Sequence, residues 1–180
     1  KVNTGMREQE VCQLRWDWEV EVPELDTSVF LIPFNIVKNK EDRLVVLNDV
    51  AKSVIEAQRG KHRSHVFTYR GKPVTHIYNS GWKLAREKAA EQYARDREEV
   101  VCWGFANLRV HDLKHTFGRR LRAVGVPLET RKVLLGHRNG DITSHYSAPE
   151  IAELLEAANR ICAVQSRKSH AMTLLKRRTA

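Results

Sequence analysis

Apolar and polar positions along the chain follow two rhythms, one of three to four residues and one of two. Thr4 can cap a helix from about Met6 to Trp16, with Val11, Leu14 and Cys12 towards a core and Glu8 and Glu10 at its positive N-terminal end. Three β-prone runs follow, Trp18 to Val22, Val29 to Pro33 and Arg43 to Leu47, the last two separated by a polar turn, Asn39-Lys40-Glu41-Asp42. Asn48 caps a helix from about Asp49 to Arg59 that Gly60 ends. Val66 to Tyr69 reads as a short strand, and Gly71-Lys72-Pro73 as its turn.

The second half is helical. A long helix is predicted from Val74 to about Glu99, with Trp82, Leu84 and Ala85 among its apolar positions and Gly81 as a weak point. His111 to Val124 forms a helix that Gly125 stops, and Pro127 opens another that runs to Leu135 and stops at Gly136. Pro149 opens a last amphipathic helix to about Ile161, with Ile151, Leu154, Leu155 and Ala158 on one side. These elements predict a mostly helical α+β domain with a small antiparallel sheet. Residues 1–164 make that domain and 165–180 a basic tail without a core pattern. The chain starts directly before a helix signal and so reads as a fragment, with domains missing upstream.

Composition narrows the partner. The 180 residues suffice for one domain with a core. A formal net charge of +9 favours a polyanion, nucleic acid first. The charge is concentrated: residues 107–139 hold eight Lys/Arg against two Asp/Glu, and the last fourteen residues hold five Lys/Arg and no acid. Cys12, Cys102 and Cys162 are scattered and odd in number, which suits reduced thiols of a cytoplasmic protein. No apolar run is long enough to span a membrane.

Four pieces of sequence then stand in order: Thr4-Gly5-Met6-Arg7-Glu8-Gln9-Glu10, His111-Asp112-Leu113-Lys114-His115, Leu134-Leu135-Gly136-His137, and Tyr146 nine positions after that histidine. This ordered set resembles the catalytic domain of the tyrosine recombinases, the phage-integrase family, over Thr4 to Ile161. The resemblance implies the fold of the DNA breaking-rejoining enzymes and a metal-free, ATP-free DNA strand transfer. Tyr146 would be the nucleophile, forming a 3′-phosphotyrosyl bond. Arg7, Lys114 and His137 would hold the phosphate oxygens, His111 would handle the tyrosine proton, and Glu10 would be the acidic residue that supports the active site. Lys38, at the edge of the turn between the second and third strands, would protonate the leaving 5′ oxygen, with Lys40 as its competitor. The resemblance further implies attachment-site duplex DNA as partner and a homotetramer on DNA built by exchange of C-terminal segments. The isolated fragment would be a monomer.

One position departs from the family, where His-x-x-Arg is usual and this chain has His111-x-x-Lys114. Lysine keeps a positive charge and lacks the two-pronged guanidinium. Two readings follow: Lys114 serves as a point charge in a working enzyme, or the domain binds DNA and cleaves it poorly. In the second, Arg119, Arg120, Arg122, Arg131, Lys132 and Arg138 form a phosphate-binding surface. A metal enzyme is the weaker rival: His111 and His115 have ligand spacing on a helix, yet Asp112 stands where a zinc protease needs Glu, and no third ligand is evident.

Overall fold

The computed structural model describes residues 1–137 and 147–163. Its sheet is three antiparallel strands in sequential order, β1 (Glu19–Val22), β2 (Thr27–Ile32) and β3 (Arg43–Val45). Glu19 lies opposite Phe30, and Phe30 opposite Val45. Successive side chains of a strand point to opposite faces, and here both faces are covered. Val29 and Val46 join one cluster, with Phe117, Leu121, Leu134, Leu154 and Ile161. Phe30, Ile32, Val45 and Leu47 join the other, with Met6, Leu14, Ile55 and Val66. The sheet therefore divides two cores. One is roofed by α5 (Asp112–Ala123), α6 (Leu128–Leu134) and α7 (Ala148–Ala163), the other by α1 (Glu8–Cys12) and α2 (Asp49–Glu56).

Local signals account for most of these elements. The Asn48 side chain accepts the Ala51 N–H at 2.9 Å, capping α2, and donates to the Ala158 carbonyl at 3.4 Å, tying α2 to α7. Ser147 and Glu150 exchange hydrogen bonds at the start of α7, the Glu150 carboxylate accepting the Ser147 N–H at 2.7 Å. Two short strands, β4 (Thr68–Tyr69) and β5 (Lys72–Pro73), form the predicted turn.

Three expectations are corrected. The first helix is only five residues long and is capped at Arg7, not Thr4. Its expected continuation is drawn into pairing with a distant segment: Val66 N–H donates to the Leu14 carbonyl at 2.9 Å and Trp16 N–H to the Ser64 carbonyl at 3.0 Å. The long helix, α3 (Ser80–Arg97), starts six residues late because Asn79 caps it, accepting the Trp82 N–H at 3.0 Å. Leu84 and Ala85 lie on its exposed side, while Ala90 is buried. A one-turn helix, α4 (Trp103–Ala106), was not anticipated. No helix among the described residues is long and apolar enough to cross a membrane, and the three cysteines are free.

Candidate functional site

The site is built on the C-terminal end of α6. Gly136 adopts φ +59° and closes the helix in a Schellman motif, its N–H donating to the Val133 carbonyl at 2.8 Å and the His137 N–H to Lys132 at 3.0 Å. Among the described residues no helical N–H donates to the next three carbonyls, and each accepts from a different cation. Arg43 Nη2 donates to Leu134 O at 3.3 Å, Lys114 Nζ to Leu135 O at 2.6 Å and Arg7 Nη2 to Gly136 O at 3.3 Å. Positive side chains suit the negative end of a helix dipole. The three bonds draw the start of the chain, β3 and α5 onto residues 134–136, directly before His137.

Close packing fixes the same junction. Gly5 has φ +62°, and a Cβ there would lie 2.8 Å from Phe117 Cδ1 of α5, so the turn leading into Arg7 requires glycine. The Arg7 N–H donates to Glu10 Oε2 at 2.6 Å and its Nη1 to Oε1 at 2.9 Å. Burial pushes the Glu10 carboxyl up, but Arg43 and the hydrogen bonds from Arg7 outweigh it and hold the group below the usual carboxylate range.

In front of this junction lies a cleft of about 500 Å³. Five cations line it, Arg7, Lys114, Arg119, Arg122 and Arg131, together with three histidines, His111, His115 and His137. None of the described residues lining it is acidic. The His111 and His115 rings stand edge to face with centroids 4.7 Å apart. Burial lowers the affinity of both His111 and His137 for protons, and neighbouring positive groups, His115 beside the first and Lys114 beside the second, add to it. Lys114 is only 5% exposed. Burial, then Arg43 and Arg7, push its ammonium down to about 7. Such a concave cluster of cations is an electrostatic trap for an anion. A larger cleft, about 610 Å³, has Glu19, Glu21, Asp26 and Glu56 on its walls, and its Arg59 is paired with Glu19 and Glu56. Its charge is unsuited to a polyanion.

Of the residues singled out in the sequence, Arg7, His111, Lys114, His137, Arg119, Arg122 and Arg131 thus meet in one cleft, with Glu10 buried beneath Arg7. Lys38 is exposed in the loop after β2 and is not among the cleft-lining residues. Arg120 turns away from the surface assigned to it, binding Asn3 Oδ1 and the Ile161 carbonyl. Lys132 pairs with Glu129 outside the cleft. Tyr146 and Arg138 lie outside the described residues.

Two participants escaped the sequence reading, Arg43 and Asn39. The Asn39 amide accepts from Arg7 Nη2 at 3.2 Å and donates to Gly136 O at 3.2 Å. Arg43 was readable in principle: with a period of two it shares the inward face of Val45 and Leu47, where an arginine is out of place unless it has buried partners.

Comparison with known proteins follows the same lines. The chain is 25% identical over 173 residues to the integrase of Salmonella phage P22, covering 89% of this chain and 40% of that protein. It is 26% identical over 133 residues to the putative integrase/recombinase y4qK of Sinorhizobium fredii, covering 66% of this chain and 41% of that one. The chain thus spans about two-fifths of the length of these relatives. No solved structure gives a significant match. Residues 1–153, which hold every side chain of the cleft, match the model of the phage integrase family, and the chain belongs to that family.

Proposed function

We propose that the chain is the C-terminal catalytic domain of a site-specific DNA recombinase, a prophage integrase acting in the host cytoplasm. The observation that carries this is the cleft, five cations and three histidines without an acid, next to the helix end that precedes His137. The phenol oxygen of Tyr146 attacks the scissile phosphorus and the 5′ oxygen leaves, giving a 3′-phosphotyrosyl bond and a free 5′ hydroxyl. His111 takes the phenol proton, and Lys38 gives one to the departing oxygen. Arg7, Lys114 and His137 bind the non-bridging oxygens as charge accumulates on them. A 5′ hydroxyl of a partner strand reverses the step. The reaction so written consumes no nucleotide and uses no metal ion.

Residues 1–164 form the catalytic domain in this reading and 165–180 a tail for assembly as a tetramer on two duplexes, the isolated chain being a monomer. The tail lies outside the described residues. A second reading, a DNA-binding domain that cleaves poorly, has one observation in its favour: Lys114 already donates to Leu135 O and holds its charge only up to about neutral pH.

Relaxation of supercoiled plasmid in the presence of a chelator tests the reading without knowledge of the attachment site, because nicking and resealing suffice. Wild-type chain should relax the plasmid and Tyr146→Phe should not, while binding is kept. Cleavage that persists in Tyr146→Phe would refute the assignment of the nucleophile. Should only Lys114→Arg be active, the second reading holds for the natural chain.

A further inference from the structure

Arg43 does not line the cleft. It is 4% exposed and stands behind Arg7, paired with Glu10. We propose that Arg43 is a positioning residue for the cleft: by sharing the Glu10 carboxylate with Arg7 and pinning the end of α6, it sets where Arg7 and His137 stand and how much positive charge Arg7 presents to a bound phosphate group. This rests on the reading of the cleft as a phosphate site.

The geometry has two parts. Arg43 Nη2 donates to Gly5 O at 3.2 Å and to Leu134 O at 3.3 Å, so one guanidinium holds both the turn before Arg7 and the helix end before His137. A Cβ on Gly136 would lie 2.8 Å from Arg43 Cδ and Cζ, which shows how closely the Gly136 turn is moulded on this side chain. The second part is charge. Glu10 binds Arg7 through both carboxylate oxygens, and alone the two would form a neutral pair. Arg43 also binds Glu10 Oε2, so two guanidiniums share one carboxylate and the trio keeps one net positive charge. That charge sits behind the phosphate site, where partial burial reduces screening.

Lys114 reports on the trio, since Arg43 and Arg7 lower its proton affinity, Glu10 raises it and Lys1 lowers it slightly; His111, His115 and His137 face it across the cleft. The test uses the full chain and inorganic sulfate, a dianion whose own charge is constant around neutral pH. Sulfate affinity is measured by calorimetry at pH 5.5, well below the Lys114 midpoint of about 7 so that its ammonium stays charged in the variants, and that midpoint itself by NMR of the side chain. Arg43→Met should weaken sulfate roughly tenfold, the size of one charge at short range through a partly screened medium, and raise the Lys114 midpoint. Glu10→Gln should do the reverse on both counts. Arg43→Lys should keep the Lys114 midpoint and lose part of the sulfate affinity, because an ammonium keeps the charge without the three-way fork.

A merely structural Arg43 would give another pattern: Arg43→Met and Glu10→Gln would both lower the unfolding temperature and would shift sulfate affinity in the same direction or not at all. That outcome would overturn the proposal. If Arg43→Met does not fold, Glu10→Gln decides alone, tighter sulfate supporting the proposal and unchanged or weaker sulfate refuting it. No sulfate site in the wild type would overturn the inference together with the cleft reading. The stated sulfate responses, with no plasmid relaxed by any variant, would remove the recombinase reading and leave the role of Arg43 standing.

Discussion

Lys114 occupies the position where the family usually has arginine, and the exchange changes more than hydrogen-bond geometry. A guanidinium stays charged in any protein environment, whereas an ammonium surrendered to burial can lose its proton. Lys114 is buried against the Leu135 carbonyl with Arg43 and Arg7 nearby, and its ammonium is pushed down to about 7. The sign follows directly. The group is charged below that value and neutral above it, so its attraction for an anion is fully present in mild acid and fades as pH rises through about 7. Burial holds His111 and His137 below the ordinary imidazole value, so they give up their charge at lower pH than Lys114 does. We expect the affinity for a short DNA duplex, followed by fluorescence anisotropy at constant ionic strength, to fall about tenfold between pH 6.5 and 8.5, the worth of one desolvated charge-assisted contact. Lys114→Arg should give a flat profile over that range. A wild-type profile as flat as that of the arginine variant would mean that Lys114 keeps its proton or does not meet the phosphate.

At the level of elements, the end of α6 is where backbone and side chains depend on each other most. Gly136 and Gly125 both have left-handed φ, +59° and +77°, and both end a helix. They differ in surroundings: a Cβ on Gly125 meets nothing within 4 Å, while one on Gly136 runs into the Arg43 side chain. Gly125→Ala should therefore cost only the backbone conformation, about 1 kcal/mol. Gly136→Ala adds overpacking against a buried guanidinium that has no room to retreat, for a total of roughly 2–5 kcal/mol. Urea unfolding of the two variants checks the contrast, and equal losses would show that the Arg43 contact is not tight. This element was legible in advance from Pro127 and Gly136, as α2 was from Asn48 and α5 from Gly125, because caps and breakers are local signals. The first helix was read too long because the residues that end it, Leu14 and Trp16, do so by pairing with Val66 and Ser64, about fifty positions away. The site divides the same way. Arg7, His111, Lys114 and His137 carry local motifs. Arg43 and Asn39 are isolated polar residues whose meaning lies in contacts with Glu10, Leu134 and Gly136, which only the fold brings near.

For the whole molecule, the +9 net charge says that a polyanion is attracted but not where it binds. The fold sorts its cations into two groups. Arg59 is held by Glu19 and Glu56, and Arg15 by Asp17, so these guanidiniums have their counter-charges already. Arg119 and Arg122, one helical turn apart on α5, and Arg131 on α6 open into the cleft and form no ion pair with the described residues. Each phosphate that a protein cation neutralises releases a condensed counterion, which steepens the fall of affinity with salt by about 0.9 in logarithmic slope. Replacing Arg119, Arg122 and Arg131 together with glutamine should thus reduce the slope by roughly 2–3 for a duplex of arbitrary sequence. Arg59→Gln and Arg15→Gln together should leave the slope unchanged, although they remove two of the 31 Lys/Arg residues. A uniform basic surface predicts something else, a loss in proportion to the number of charges removed wherever they lie. Measuring the slope between 50 and 200 mM salt, roughly the range over which phosphate contacts dominate affinity, separates the two. Equal losses per charge in both sets would show that the cleft has no privileged part in holding the DNA backbone, and that attraction is a property of the surface at large.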